Sequence, residues 1–418
     1  MRRQQMSSAE QMNQPFARDR LTWLGYLLVG NYCYTMAALG PLMPFLRSEL
    51  QLSYTIAAYH FSAWALGSLF AGTFGDRVVS ALGRSRTIVF MGTSYLVGVT
   101  IIIVGHSAPF TIFGALVCGF NASILGQTIM ALLADRFGAQ RAIAITEMNI
   151  CASICAVLAP FAVSLCVKFG MGWRAALIFP IAAFIFLALA GRGQLQGLPP
   201  PMRKTGTRAR LPLAYWAYWF VIQLMVACEW SLIFWSAEFV EHVCKFMRAD
   251  AAQCVSIFLS AMLIGRIVGS RLVRRFKSSV MLPVASVVAI SGFGVFWLGQ
   301  LPVANLAGLF VAGLGIANFY PLTVASALGV VPEQSATAAA RFSIASGSAV
   351  LLAPLLLGMA ADRYGIFNAY GIVAVLLVIA AGMVLLANWS AHLHALQQQE
   401  VSDSKGSQAV PMPGTSEG

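Results

Sequence analysis

Long apolar runs, each closed off by a short cluster of charged, glycine or proline residues, divide the chain into twelve stretches. They begin near Leu21, Tyr54, Thr87, Pro109, Arg141, Trp173, Leu213, Ala251, Met281, Val303, Ala336 and Phe367. Each is about 20 residues long, the length a helix needs to cross ~30 Å of hydrocarbon. The pattern predicts an all-α, polytopic membrane protein of 12 transmembrane helices. Residues 191–212, with Pro199, Pro200, Pro201 and five cations, have the composition of a linker and fall near the midpoint. The expected organisation is a polar tail over 1–20, a six-helix bundle over 21–190, the linker over 191–212, a second six-helix bundle over 213–390, and a tail over 391–418. From Gln397 onward that last tail is polar and aperiodic, which reads as disorder.

Composition narrows the class. Apolar residues make up 59% of the 418, charged residues 10%, and mean hydropathy is +0.76, which excludes a soluble fold. The net charge of +12 would suit a nucleic-acid partner, but its distribution argues against one. Of 27 Lys and Arg, 19 fall in the tails and alternate loops on one side of the twelve runs. By the positive-inside rule that side is cytoplasmic, so both termini are expected inside a bacterial-type inner membrane. The polar first 20 residues lead into a run long enough to span, so no cleavable signal peptide is expected. The eight Cys show no metal-binding spacing, and six lie in apolar runs as small packing residues. Cys244 and Cys254 flank an outer loop, where a disulfide could persist.

The turn between the second and third runs carries Gly72, Asp76, Arg77, Gly83 and Arg84. This set resembles the Gly-x-x-x-Asp-Arg-x-Gly-Arg-Arg loop between helices 2 and 3 of the major facilitator superfamily, with Val78 to Leu82 as a longer spacer. Asp135-Arg136-Phe137-Gly138 is a short echo of it. The resemblance implies two related six-helix halves that alternate access around a midplane site. Further, it implies a secondary transporter moving a small organic solute, with protons as the coupling ion, the membrane lipid as surroundings, a monomeric state, no cofactor and no enzymatic chemistry. The drug-exporter signatures of that family are weak here, because Ala115 stands where an arginine would fall and only Ala159-Pro160 represents the helix 5 motif. The halves also echo each other. Ala159-Pro160 and Phe169-Gly170 align with Ala353-Pro354 and Tyr364-Gly365, and thirteen residues before each proline stand Glu147 and Arg341.

Charges inside the runs are the candidate chemistry. A charged side chain at mid-membrane costs roughly 2.5 to 3.5 kcal/mol even on an insertion scale, so Glu147, Glu229, Arg266 and Arg341 are expected to turn inward. Glu147, Glu229 and Arg341, with His60, Tyr32, Asn31 and Trp230, form the candidate substrate or proton site. Gly72, Asp76, Arg77, Gly83, Arg84 and Arg266 form the candidate cytoplasmic gate. Each has a plainer alternative. The charges could be latches without a proton, His60 a hydrogen-bonded core residue, and Asn31, Tyr32 and Tyr34 interhelical glue. Glu238 and Glu241 are expected beyond the membrane. No Gly-x-x-x-x-Gly-Lys-Ser/Thr loop or His-x-x-x-His pair is present, so ATP drive and a metal centre are not supported. The rival functions are a multidrug or natural-product exporter, a passive facilitator and, from another class, a non-transporting membrane sensor.

Overall fold

The computed structural model describes residues 16–195, 198, 211–273, 275–331 and 335–407. Most of the linker, Arg274 and the last eleven residues lie outside this set. Helix α1 is Arg20–Leu50, opened by Asp19, whose carboxylate accepts from the Thr22 amide at 3.0 Å. The next helix, Tyr54–Val104, runs for 51 residues but breaks at Gly83, whose φ of 74° is a left-handed conformation that favours glycine. It therefore counts as α2 (54–82) and α3 (84–104). Then follow α4 (Ala108–Phe137), α5 (Arg141–Lys168) and α6 (Ile178–Ala190), the last led in by a 3₁₀ turn at Trp173–Leu177. The second half holds α7 (Leu213–His242), α8 (Arg248–Leu272), α9 (Ser278–Leu298), α10 (Pro302–Val330), α11 (Ser335–Ala369) and α12 (Gly371–Ser407).

Ten of these helices, with Tyr54–Val104 taken as one, are long and apolar enough to cross a membrane. Splitting that helix at Gly83 and adding α1, whose Asn31, Tyr32 and Tyr34 lower its hydropathy, gives the twelve expected rods. The outcome differs from the sequence reading at the end of the chain, where helix continues to Ser407 instead of ending near residue 390.

The two halves pack by one plan. In the first, α1 lies on α5, and α2 and α3 lie on α4; in the second, α7 lies on α11, and α8 and α9 lie on α10. The repeat extends to single residues. Gly170 and Gly365, aligned in the sequence, both adopt positive φ, 74° and 79°. Between the halves, α1 meets α7, α5 meets α8, and α2 meets α11. Helix α1 starts at the end of the molecule that carries the α2–α3 turn, here called the motif end. The opposite end is the far end.

Candidate functional site

Polar ties between the halves crowd into the far end. Arg47 of α1 donates from Nη1 to Glu238 Oε2 of α7 at 2.7 Å, with the Glu238 side chain fully buried. The Arg47 guanidinium also lies 3.6 Å above the centre of the Tyr54 ring. At the start of α2, the Tyr54 and Thr55 amides donate to the two carboxylate oxygens of Asp362 on α11 at 2.7 and 2.8 Å. This is an acidic cap supplied across the interface to a helix N-terminus. Lys168 of α5 pairs with Asp250 of α8 at 2.5 Å. Apolar contacts reinforce these pairs. Phe61 of α2 stacks on Phe234 of α7 at 3.9 Å across the interface, and within the second half Trp235 of α7 is fixed by donating to the Pro354 carbonyl of α11 at 3.0 Å. Around Gly40 the chains approach so closely that a Cβ there would lie 2.3 Å from the Ile233 carbonyl oxygen of α7. The far end is closed.

Glu238, expected in water, is thus a buried partner in this closure. Among the described residues no donor reaches its Oε1, as is true of Glu241 Oε2. Glu238, Glu241 and His242 present donor atoms within 4.8 Å of one another. Arg47 and Arg248, however, already neutralise the two carboxylates, so the cluster is a charge lock and not a metal centre.

Deeper in, at about mid-height of α7, stands Glu229. The nearest cation to it is Arg266 of α8, with Nη2 3.6 Å from Glu229 Oε1. That is an ion pair without a hydrogen bond, and among the described residues no donor reaches the Glu229 carboxylate. Its side chain is 15% exposed, that of Arg266 44%. Arg266 Nη1 is 3.5 Å from Ser153 Oγ on α5, so this side chain reaches across to the other half. Helix α10 is interrupted beside it. The interruption falls at Ala317 and Asn318, between Pro302–Ile316 and Phe319–Val330, where Asn318 donates to the Gly265 carbonyl of α8 at 2.7 Å. Asn318, Tyr320 and Pro321 mark this break in the sequence. Broken helices near mid-membrane commonly frame the binding sites of secondary transporters. Trp230 is half-buried against Phe234, ring centres 5.0 Å apart.

The remaining candidates go elsewhere. Glu147 does not meet Arg341. It takes a two-pronged contact from Arg18, at 2.8 and 2.5 Å, and a hydrogen bond from the Tyr26 hydroxyl at 3.2 Å. The segment before α1 is held there as a strap, with Phe16 on Phe137 at 4.6 Å and Asp19 paired to Arg136. Arg341 lies 5.3 Å from the centre of the Trp216 ring, and no carboxylate is within ion-pair distance of it among the described residues. His60 is fully buried between α2 and α4, with Nε2 2.8 Å from Thr111 Oγ1 and Nδ1 3.1 Å from the Ala57 carbonyl. Asn31 donates to the Pro180 carbonyl at 2.8 Å, and Tyr32 packs on Gly126. Trp235 and Tyr34 are likewise structural, Tyr34 donating to the Ala176 carbonyl. Cys244 and Cys254 are free thiols.

At the motif end, Arg84 is buried and paired with Asp135, the acid of the echo motif on α4. This fixes the turn to its own half. Gly72, Asp76 and Arg77 are exposed, and Arg77 rests 5.8 Å from the Phe74 ring centre. Two turns nearer mid-membrane, Leu69 of α2 touches Gly347 of α11.

Two equivalent six-helix halves tied together at one end, with a loosely paired acid and base deeper in at mid-height of α7, have the architecture of a membrane transport protein. The comparisons give the family. Residues 25–309 match the model for the Major Facilitator Superfamily, and the chain belongs to that family. An uncharacterised MFS-type transporter of Yersinia pestis is 22% identical over 354 residues, covering 83% of this chain and 90% of the relative. Another, YtbD of Bacillus subtilis (strain 168), is 23% identical over 374 residues, covering 86% and 92%. Among solved structures, a bacterial homolog of the human lysosomal transporter Spinster, inward-facing and occupied, superposes with a TM-score of 0.71 at 14% identity, covering 89% of this chain and 96% of that one. The nucleoside transporter NupG gives 0.66 at 16%, covering 90% and 98%. These likenesses establish the fold.

Proposed function

We propose that the protein is a secondary active transporter that carries a small organic solute across the inner membrane by alternating access, driven by protons through Glu229. The carrying observation is the Glu229 carboxylate. It lies at mid-membrane, slightly exposed, and among the described residues it has no hydrogen bond and a single ion-pair contact, 3.6 Å to Arg266. A permanently ionised group there would be costly. One that is protonated in one state and takes Arg266 in another is stable in both.

The cation bias of the loops supports a cytoplasmic motif end, with both termini inside. The closed far end is then the outer gate, made by Arg47–Glu238, Asp362 on the α2 N-terminus and Lys168–Asp250. The ion pairs between the halves, among the described residues, all lie at that outer end, which supports reading the inner gate as the open one. Asp76 and Arg341 lie about two turns beyond the Leu69–Gly347 contact on neighbouring helices of opposite halves, so closing the motif end brings opposite charges together.

Accumulation of labelled solutes in cells with and without the protein, across drugs, peptides and iron chelators, tests the reading. Accumulation or exclusion that collapses with a protonophore is the expected result. Movement that ignores the proton gradient would favour the passive facilitator and remove the coupling role.

A further inference from the structure

The contacts at Arg266 bear on what the transporter carries, given Glu229 as the proton carrier. A guanidinium has five donors in a planar fork. Arg266 uses them poorly, with 3.6 Å to Glu229 and 3.5 Å to Ser153. The same molecule makes a tight pair where it needs one, at 2.7 Å between Arg47 and Glu238. The loose pair is nearly half exposed on the arginine side and opens between the halves.

Two partners can satisfy Arg266 there, the Glu229 carboxylate or an anionic group on a ligand. Both together would place two like charges against one cation. Protonating Glu229 removes the competition, so an anion and a proton assist each other's binding. A cationic solute would instead compete with the proton for Glu229, and a neutral one would leave Arg266 to Glu229. Tyr320, within electrostatic reach of Glu229, and Trp230, the next residue along α7 and half-buried on Phe234, supply aromatic surface for an apolar body. Arg341 has no carboxylate partner among the described residues and adds positive field on the motif side.

We propose that the solute is an organic monoanion, a carboxylate or equivalent on an apolar or aromatic body, which binds Arg266 and travels with one proton in the same direction. Loaded, the site holds protonated Glu229, Arg266 and the anion. Empty, it holds ionised Glu229 on Arg266. Both crossing states are neutral, as a low-dielectric passage demands. At release, Glu229 gives its proton to water, its carboxylate takes Arg266, and the anion leaves. One positive and one negative charge have moved together, so the cycle carries no net current.

The test uses the purified full-length protein and three probes of one shape and different charge: phenylacetate, phenylacetamide and phenethylamine. Binding is followed by tryptophan fluorescence from about pH 5 to pH 8. Phenylacetate should bind, losing about tenfold in affinity per pH unit above the Glu229 titration. Glu229→Gln should bind it without that slope. Arg266→Gln should lose about tenfold or more, with Arg266→Lys recovering part of the loss. The Glu229→Gln/Arg266→Gln double variant has no unpaired charge and serves as the folded control that does not bind. Phenylacetamide or phenethylamine binding as well as the anion, or failure of all three at millimolar concentration, overturns the proposal. Phenylacetate binding that needs Arg266 yet ignores pH overturns joint movement and, with it, Glu229 as carrier. A pH slope through Glu229 that selects the amine overturns the anion alone and leaves the carrier standing.

Discussion

Replacing Arg47 with alanine removes the cation from the buried end of the outer gate and leaves its partner in place. Glu238 has no exposed surface, and its Oε1 already lacks a donor. The neighbour that remains is His242, with Nδ1 3.3 Å away. Removing one partner of a buried ion pair costs roughly 3 to 5 kcal/mol. Arg47 is partly solvated and His242 is at hand, so the lower end applies. The penalty falls only on the state in which the far end is closed, because opening lets water reach Glu238. About 3 kcal/mol is more than a hundredfold in the ratio of closed to open. The assay is the distance between spin labels at Ser48 on α1 and Met247 before α8, exposed positions on opposite halves, in a background whose native cysteines are replaced. Arg47→Ala should shift the population to the longer distance, and Arg47→Ala/Glu238→Ala, which leaves no unpaired carboxylate at this pair, should return part of it. An unchanged distribution in the single variant would refute the assignment of this pair to the gate.

Three further outcomes follow from the same packing. Gly40→Ala places a methyl 2.3 Å from the Ile233 carbonyl oxygen and should open the far end by about 1 to 3 kcal/mol, the usual cost of overpacking, read by the same labels. His60→Ala should lower the melting temperature through about 1 to 3 kcal/mol of lost buried hydrogen bonding and leave the pH profile of transport unchanged; a shifted profile would restore His60 as a proton carrier. A cysteine pair at Asp76 and Arg341 should cross-link faster in the Arg47→Ala background than without it, since an open far end goes with a closed motif end. Equal rates would contradict that coupling.

Much of the architecture is legible in the sequence because it is local. Apolar runs of spanning length give the rods, Gly83 ends one helix and starts the next, and Asn318 to Pro321 marks the break in α10. The repeat is legible too, since Gly170 and Gly365 must both turn the chain at positive φ. The ion pairs are not legible. Glu147 meets Arg18 from 129 residues away, and Glu238 meets Arg47 from 191 away. Position along a helix gives the depth of a charge, but which helix faces it is a matter of tertiary packing. Hence Glu147 and Arg341, at matching depth, stay apart, and Glu238, near a helix end and read as solvated, lies under a neighbouring helix. The sequence places Glu229 and Arg266 among several charges that turn inward, and only the contact distances distinguish their loose pair from the tight ones.

The most direct measurement compares net uptake with exchange in proteoliposomes for Glu229→Gln, using a solute that the wild-type protein accumulates. A carrier fixed in the protonated form can still exchange labelled for unlabelled solute, but it cannot release its proton to complete a net cycle. Persistent exchange with lost accumulation is the predicted result. Full concentrative uptake by Glu229→Gln would contradict the account.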